Sequence, residues 1–344
     1  MTVETRELAP GYRISRVIRG GWQLAGDHGA VDRDRAVADM RAFLDAGIIA
    51  FDGADIYTGV EEMYGAFRAT LSPADRARLK VHTKFVPDWD ALARCDGAYV
   101  RGVIERSLMR LRAERLDLVQ FHWWNYDVPG MAEAALELRA LQREGKIDLI
   151  GGTNFDTPAV RALLEAGVSV KSLQIQYSLL DRRPAHGLAE FCAGRGVSLL
   201  CYGALAGGFL TERWLDAPAP SEITNRSLIK YRLIIDEFGG WDAFQALLRA
   251  LAAIARRHGV SIGAVATRWV LDQPGVAAAI VGARYADRLD ETLGVFRFTL
   301  DSEDHAALDA LLAAHPGPPG DTYALERDRN GPHGRIMKYN LNAA

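Results

Sequence analysis

Residues 47–57 read GIIAFDGADIY, an apolar run that closes on Asp52 and is followed five positions later by Tyr57. The run is short, β-branched and bounded by glycines, which predicts a buried strand rather than a helix. Two later runs repeat the device. LKVHTK (79–84) ends on Lys84, and LDLVQFH (116–122) ends on His122. If the three are adjacent parallel strands, a carboxylate, a phenol, an ammonium and an imidazole converge at one rim.

Working outward, eight such runs alternate with helical stretches: Arg16–Gly21, Gly47–Asp52, Leu79–Phe85, Leu116–His122, Leu149–Asn154, Val170–Tyr177, Val197–Tyr202 and Val276–Gly282. Between them, apolar residues recur three and four apart, as at Val103, Ile104, Leu108 and Leu111. Thr157 with Pro158 reads as an N-cap followed by proline at N1, and Gly145 and Gly167 sit where C′ glycines belong. Eight β-then-α units with right-handed crossovers predict an α/β fold, a closed (β/α)8 TIM-type barrel. A doubly wound sheet with an added domain is the rival. It is disfavoured because no linker divides the chain and no G-x-G-x-x-G follows the first strand. The expectation is one domain over 1–344 with two excursions. One is a long cofactor-side loop at 203–240, after the seventh strand, and the other is a tail at 316–344, rich in Pro and Gly. The tail reads equally well as a strap on the barrel wall or as part of a site.

Composition excludes several classes. Of 344 residues, 49% are hydrophobic and 25% charged, and the net charge of −3 gives no pull toward nucleic acid or an anionic membrane. No uninterrupted apolar span suggests a membrane helix. Cys95, Cys192 and Cys201 have no metal-ligand spacing, and an odd, sparse set fits reduced thiols. With no apolar stretch near the start, the expectation is a cytoplasmic protein. No G-x-S-x-G and no H-E-x-x-H occurs, so neither a serine nucleophile nor a metal site is predicted.

In barrel enzymes, catalytic groups come from the C-terminal ends of strands. A phenol at Tyr57 is a proton donor near neutral pH, and a neighbouring Lys84 ammonium favours its ionised form. Asp52 would hold Lys84 charged, and His122 would hydrogen-bond an incoming carbonyl oxygen. Such a group suits hydride addition to a C=O, for which a nicotinamide cofactor is the hydride source. Two arginines in IVGARYADR, Arg284 and Arg288, offer planar donors suited to a phosphate, which favours NADP over NAD. Their bland alternative is a solvated helix face, with Arg288 paired to Asp290 or Glu291. Trp22 and Trp123 are expected in a pocket wall, with Trp89, Trp124 and Tyr126 in neighbouring loops. The substrate is thus a small carbonyl compound, alcohol or sugar.

The segment FDGADIYTGVEEMYG resembles a signature of the aldo-keto reductase superfamily. VHTKF, LVQFHW, GGTNF, QIQYSLL and CYGALAGGFL resemble its later blocks in order, so the likeness runs from about Gly20 to Thr292. It implies a catalytic tetrad of Asp52, Tyr57, Lys84 and His122, with Tyr57 as general acid. It implies that Thr153, Asn154 and Gln176 hold the nicotinamide carboxamide and that Tyr202 stacks on the ring. The backbone from Gly203 through Leu205 and Gly207 to Leu210 would follow the pyrophosphate. Arg284 and Arg288, with Gly282 and Glu291 in the same segment, would lie at the adenosine 2′-phosphate. The sequence departs from the family at Gly53, Trp124, Val281, Gly282, Ala283 and Thr292, where other residues are usual. Two rivals follow. One is a nucleotide-binding redox-sensing or regulatory subunit of the same fold, as in the potassium-channel beta branch. The other is a Schiff-base aldolase using Lys84, which the Asp52 charge opposes.

Overall fold

The computed structural model describes residues 2–25 and 29–342. Ten strands are present among them. Strands β1 (Thr5–Ala9) and β2 (Tyr12–Ser15) form an antiparallel hairpin. Strands β3 (Val17–Gly20), β4 (Ala50–Asp52), β5 (Lys80–Phe85), β6 (Leu116–Phe121), β7 (Ile147–Thr153), β8 (Val170–Gln176), β9 (Ser198–Tyr202) and β10 (Val276–Gly282) are parallel. They close into a barrel in sequence order, with β10 pairing back on β3. All eight expected runs are barrel strands, and the fold is the (β/α)8 barrel.

Buried on both faces, a parallel strand must be apolar outward and filled inward. The lower interior is packed by Ile18, Ala50, Leu118, Leu149, Leu200 and Ala278, and the hairpin closes that end with Leu8, Tyr12 and Ile14. Gly151 on β7 is required by this crowding, because a Cβ there would meet the Ser172 Oγ at 2.6 Å. Higher up, the inward positions turn polar: Asp52, Lys84, Gln120, His122, Thr153, Gln174 and Gln176 are all buried. The outer helices lay apolar stripes on the strands. The longest of them, Gly240–His258, buries Phe244, Leu247, Leu248, Leu251 and Ile254.

Caps follow the expected chemistry with one shift. Helix Thr157–Glu165 is capped by Asp156, whose side chain accepts from the Ala159 N–H, so Thr157 is the first helical residue and not the cap. Gly145 and Gly167 adopt positive φ, +81° and +84°, just past their helices. The stretch 203–240 is not a structureless loop. It contains the helix Arg226–Phe238, started by an Asn225 side chain that accepts from the Leu228 N–H.

The tail is part of the rim. Arg327 donates to the carbonyls of Trp123, Trp124 and Asn154 at 2.7–2.9 Å. Glu326 accepts two hydrogen bonds from the buried Arg183, at 2.9 and 3.0 Å. The chain end is tied to the loop after β5, with Asn342 donating to the Val86 carbonyl and Asp88 accepting from the Leu341 and Asn342 N–H groups. Among the described residues, no helix is long and apolar enough to cross a membrane. All three cysteines are buried and free.

Candidate functional site

Parallel register brings the C-terminal strand ends to one height: Gly20 faces Asp52, and Lys84 faces Gln120. A cleft of about 470 Å³ opens there, a size ordinary for a cofactor and small-ligand site. Asp52, Tyr57, Lys84 and His122 all line it.

The Lys84 Nζ donates to Asp52 Oδ2 at 2.8 Å and to the Gly53 carbonyl at 2.7 Å. Both partners of the pair are 5% exposed. The other carboxylate oxygen, Oδ1, accepts from the side-chain amides of Gln120 at 2.9 Å and Gln174 at 2.7 Å. A buried carboxylate is thus satisfied on both oxygens, and its pairing keeps the ammonium fixed. The space above Gly53 is taken by the Tyr64 ring, which a Cβ would approach to 3.1 Å. The Tyr64 hydroxyl donates to the Asp52 carbonyl. A side chain at that position would require the Tyr64 ring to give by a few tenths of an ångström.

Tyr57 packs its ring against Trp22, with centroids 4.9 Å apart, and the Lys84 ammonium lies 4.9 Å from its centroid. Burial, with Asp52 and Asp55 behind it, pushes the phenol well above its usual range. The expected lowering by Lys84 is overturned in this arrangement. The ammonium donates to Asp52 and Gly53 and lies beside the Tyr57 ring. Burial thus favours the protonated phenol.

His122 is buried, and burial together with the Arg327 charge pushes it down to about 3, so the ring is neutral. Its Nδ1 lies 3.0 Å from the Thr153 carbonyl, which can only accept, so Nδ1 carries the hydrogen. Nε2 is left as a bare lone pair, buried and without a protein partner. The expected donation from His122 to a carbonyl oxygen is therefore corrected. In this tautomer the free nitrogen accepts, and it suits an O–H.

Thr153, Asn154, Tyr202, Gly203, Leu205, Gly207, Gly282, Arg288 and Glu291 also line the cleft. Asn154 has a positive φ of +59°, and its Oδ1 accepts from the Tyr202 hydroxyl at 2.8 Å, fixing that ring at the wall. Gly282 leaves room for Gln23, whose amide nitrogen would lie 2.1 Å from a Cβ there. Arg288 is exposed and 3.8 Å from Glu291.

Three expected residues lie elsewhere. Gln176 is buried away from the cleft and donates to Asp181 at 2.6 Å, and Gln174, two positions earlier on the same strand face, lines the cleft instead. Trp123 is fully buried beneath the rim, with its Nε1 donating to the Val128 carbonyl. Trp124 takes the wall position, edge-on to His122 at 4.4 Å. Arg284 is not among the lining residues, and its carbonyl accepts from Arg19. Sequence reasoning also missed Arg226, Lys230 and Tyr231 from the helix after β9, and Tyr323, Met337 and Leu341 from the tail. The glutamines were visible as polar residues inside apolar runs at the inward parity of the strand. The tail had no such signal.

The residues fit a nicotinamide dinucleotide. An aromatic ring is fixed at the wall by Asn154, glycine backbone at positive φ follows it at Gly203, Gly207 and Gly208, and Arg226 and Arg288 line the same cleft, where phosphates would find cations.

Comparison with known proteins gives the family. The Aldo/keto reductase family profile matches residues 16–313. The chain is 28% identical over 318 residues to aldo-keto reductase YhdN of Bacillus subtilis (strain 168), covering 88% of this chain and 91% of that protein. It is 26% identical over 316 residues to the L-glyceraldehyde 3-phosphate reductase of Escherichia coli O157:H7, covering 88% and 90%. The solved glycerol dehydrogenase AKR11B4 from Gluconobacter oxydans superposes with a TM-score of 0.76 at 29% identity, covering 93% of this chain and 97% of that one. This chain belongs to the aldo/keto reductase family, oxidoreductases of carbonyl and alcohol substrates.

Proposed function

We propose that the protein transfers a hydride between a nicotinamide dinucleotide and a small aldehyde or ketone, or the corresponding alcohol or sugar, with Tyr57 as the proton donor. The observation that carries this reading is one cleft holding a proton-retaining phenol, a fixed ammonium and a neutral imidazole with a free acceptor nitrogen. When bound, the reduced cofactor supplies the hydride. As negative charge builds on the substrate oxygen, Tyr57 gives up its proton to it. The Lys84 charge, held by Asp52, stabilises the phenolate left behind, and solvent returns the proton. The resulting hydroxyl can donate to His122 Nε2, which holds the alcohol in place and serves the reverse reaction equally.

NADP(H) is the favoured cofactor, with Arg288 as the 2′-phosphate partner. Glu212 and Glu291 share the same cleft wall and oppose a dianion there, so a margin of about tenfold over NAD(H), one charge-assisted hydrogen bond, is expected. Phosphorylated aldehydes and polyols, named for the two relatives, are within the substrate class.

Titrating the protein with NADPH and NADH while following tryptophan fluorescence tests the cofactor, because Trp22 and Trp124 lie on the wall. Following NADPH absorbance with 4-nitrobenzaldehyde then tests the reaction. Saturable quenching and turnover are expected. Tight nucleotide binding with no turnover of any aldehyde would favour the regulatory reading, and absence of quenching by either nucleotide would refute both.

A further inference from the structure

Helix Arg226–Phe238 presents Arg226 and Lys230, four residues apart on one face, to the cleft. Arg226 donates to the Ile336 carbonyl at 3.0 Å. Lys230 differs from the other cations of the rim. Its Nζ lies between three tyrosine rings, 4.9 Å from the centroid of Tyr202, 5.6 Å from Tyr231 and 6.0 Å from Tyr323. Among the described residues, no carbonyl or carboxylate accepts a hydrogen bond from it. The nearest acidic groups on the elements behind it are already matched. Asp181 and Glu326 both receive the Arg183 guanidinium, at 2.7 to 3.0 Å. Burial accordingly pulls the Lys230 pKa down, and the Glu326 charge restores only part of it. An ammonium with three N–H donors and no protein acceptor has donors to offer an anion in the cleft.

Its position ties that charge to the reacting centre. Tyr202 is the ring fixed by Asn154 at the wall, and Tyr323 stands edge-on to His122 with centroids 5.7 Å apart. Lys230, at 6.0 Å, and His122, at 5.7 Å, both neighbour the Tyr323 ring, and both line the same cleft. A small molecule with its carbonyl at the reacting centre would have this ammonium within the same cleft for an acid at its other end. At the centre itself, the Lys84 ammonium is already paired with Asp52.

We propose that Lys230 forms an anion subsite in the cleft wall and binds the carboxylate or phosphate of the carbonyl substrate. The proposal rests on the oxidoreductase reading above and narrows its substrate to acidic aldehydes, ketones or alcohols. The rings of Tyr202 and Tyr323 flank the carbon skeleton between the two ends. A charge-assisted hydrogen bond to it is worth about tenfold to a hundredfold in binding.

The test compares 4-carboxybenzaldehyde with its methyl ester, methyl 4-formylbenzoate, in the wild-type protein, Lys230→Met and Lys230→Arg. In the wild type, kcat/KM is expected to favour the acid by at least tenfold. In Lys230→Met the ratio falls to near one, and Lys230→Arg restores part of it. NADPH affinity, read by fluorescence, is expected to move less than twofold in Lys230→Met. An acid-to-ester ratio unchanged by Lys230→Met overturns the proposal. So does a loss of NADPH affinity with equal effects on both aldehydes, which would give Lys230 to the cofactor phosphates instead. Binding of 4-carboxybenzaldehyde in the presence of oxidised cofactor is read separately by fluorescence. Weakening of at least tenfold in Lys230→Met supports the subsite even if no turnover is seen, a result that would defeat the reductase reading alone. Equal binding in both proteins defeats the subsite.

Discussion

Removing the Lys84 charge tests how the centre is held together. In Lys84→Met the Asp52 carboxylate keeps its two amide donors, Gln120 and Gln174, but loses its counter-ion in a site where both partners were 5% exposed. Breaking a buried pair costs about 3–5 kcal/mol, and the retained amides place this case at the low end, about 3 kcal/mol. The Gly53 carbonyl also loses its donor, which adds about 1 kcal/mol. Asp52→Asn in the same background removes the stranded charge, so the double variant should recover about 2 kcal/mol relative to Lys84→Met. Urea unfolding at pH 7 of the wild type, Lys84→Met, Asp52→Asn alone and the double variant gives the coupling energy directly. A coupling below about 0.5 kcal/mol would mean that the two charges are independently solvated, and the ordering argued for the rim would be wrong.

Two further outcomes follow. His82 is fully buried, has no partner on either nitrogen, and is pushed down by burial to about 4. The unfolded chain takes up its proton near pH 6.5, so this contribution to stability is complete above that pH and lost as pH falls toward 4. The loss is about 3 kcal/mol. His82→Phe should flatten the acid limb of stability measured by urea unfolding between pH 7 and 4.5, and an unchanged slope would contradict the assignment. Glu326→Gln weakens the buried pair with Arg183, both 1% exposed, and should loosen the tail over the cleft. Limited proteolysis within 316–342 is expected to speed up about tenfold or more while the barrel stays intact, and unaltered protection would argue against the pair as the tail's anchor.

How much of this was legible in the sequence follows from the physics of each part. The barrel was, because a strand buried on both faces must be a near-continuous apolar run, and the chain carries eight of them. The hairpin Thr5–Ser15 was not, being short, largely polar on one face and turned by Pro10 and Gly11. Helix Arg226–Phe238 was hidden by the glycine and proline pairs before it, although Leu228, Tyr231, Ile234, Ile235 and Phe238 carry the helical period. At the site, inward parity correctly placed Lys84 and His122 but could not separate Gln174 from Gln176. Both face inward, and a hydrogen bond to Asp181, five residues on, turns the second away. Parity does separate Trp123 from Trp124, since the residue after the inward His122 points out of the barrel and packs on Phe121. The tyrosine proton and the histidine tautomer depended on burial and on one backbone carbonyl, which no spacing encodes. The tail's place at the rim depends on Arg183 meeting Glu326 across 143 positions of sequence, a contact that only the fold reveals.

The central claim is that Tyr57 delivers the proton in a cleft that binds the nucleotide without it. Tyr57→Phe removes one oxygen and keeps the ring packed on Trp22, 4.9 Å away. Single-turnover oxidation of bound NADPH by 4-nitrobenzaldehyde, paired with the NADPH dissociation constant by fluorescence, separates the two functions. The account predicts a rate lower by about 10²–10⁴-fold with the dissociation constant within about twofold of wild type. A variant that keeps its rate, or loses rate and nucleotide affinity in equal measure, would contradict it.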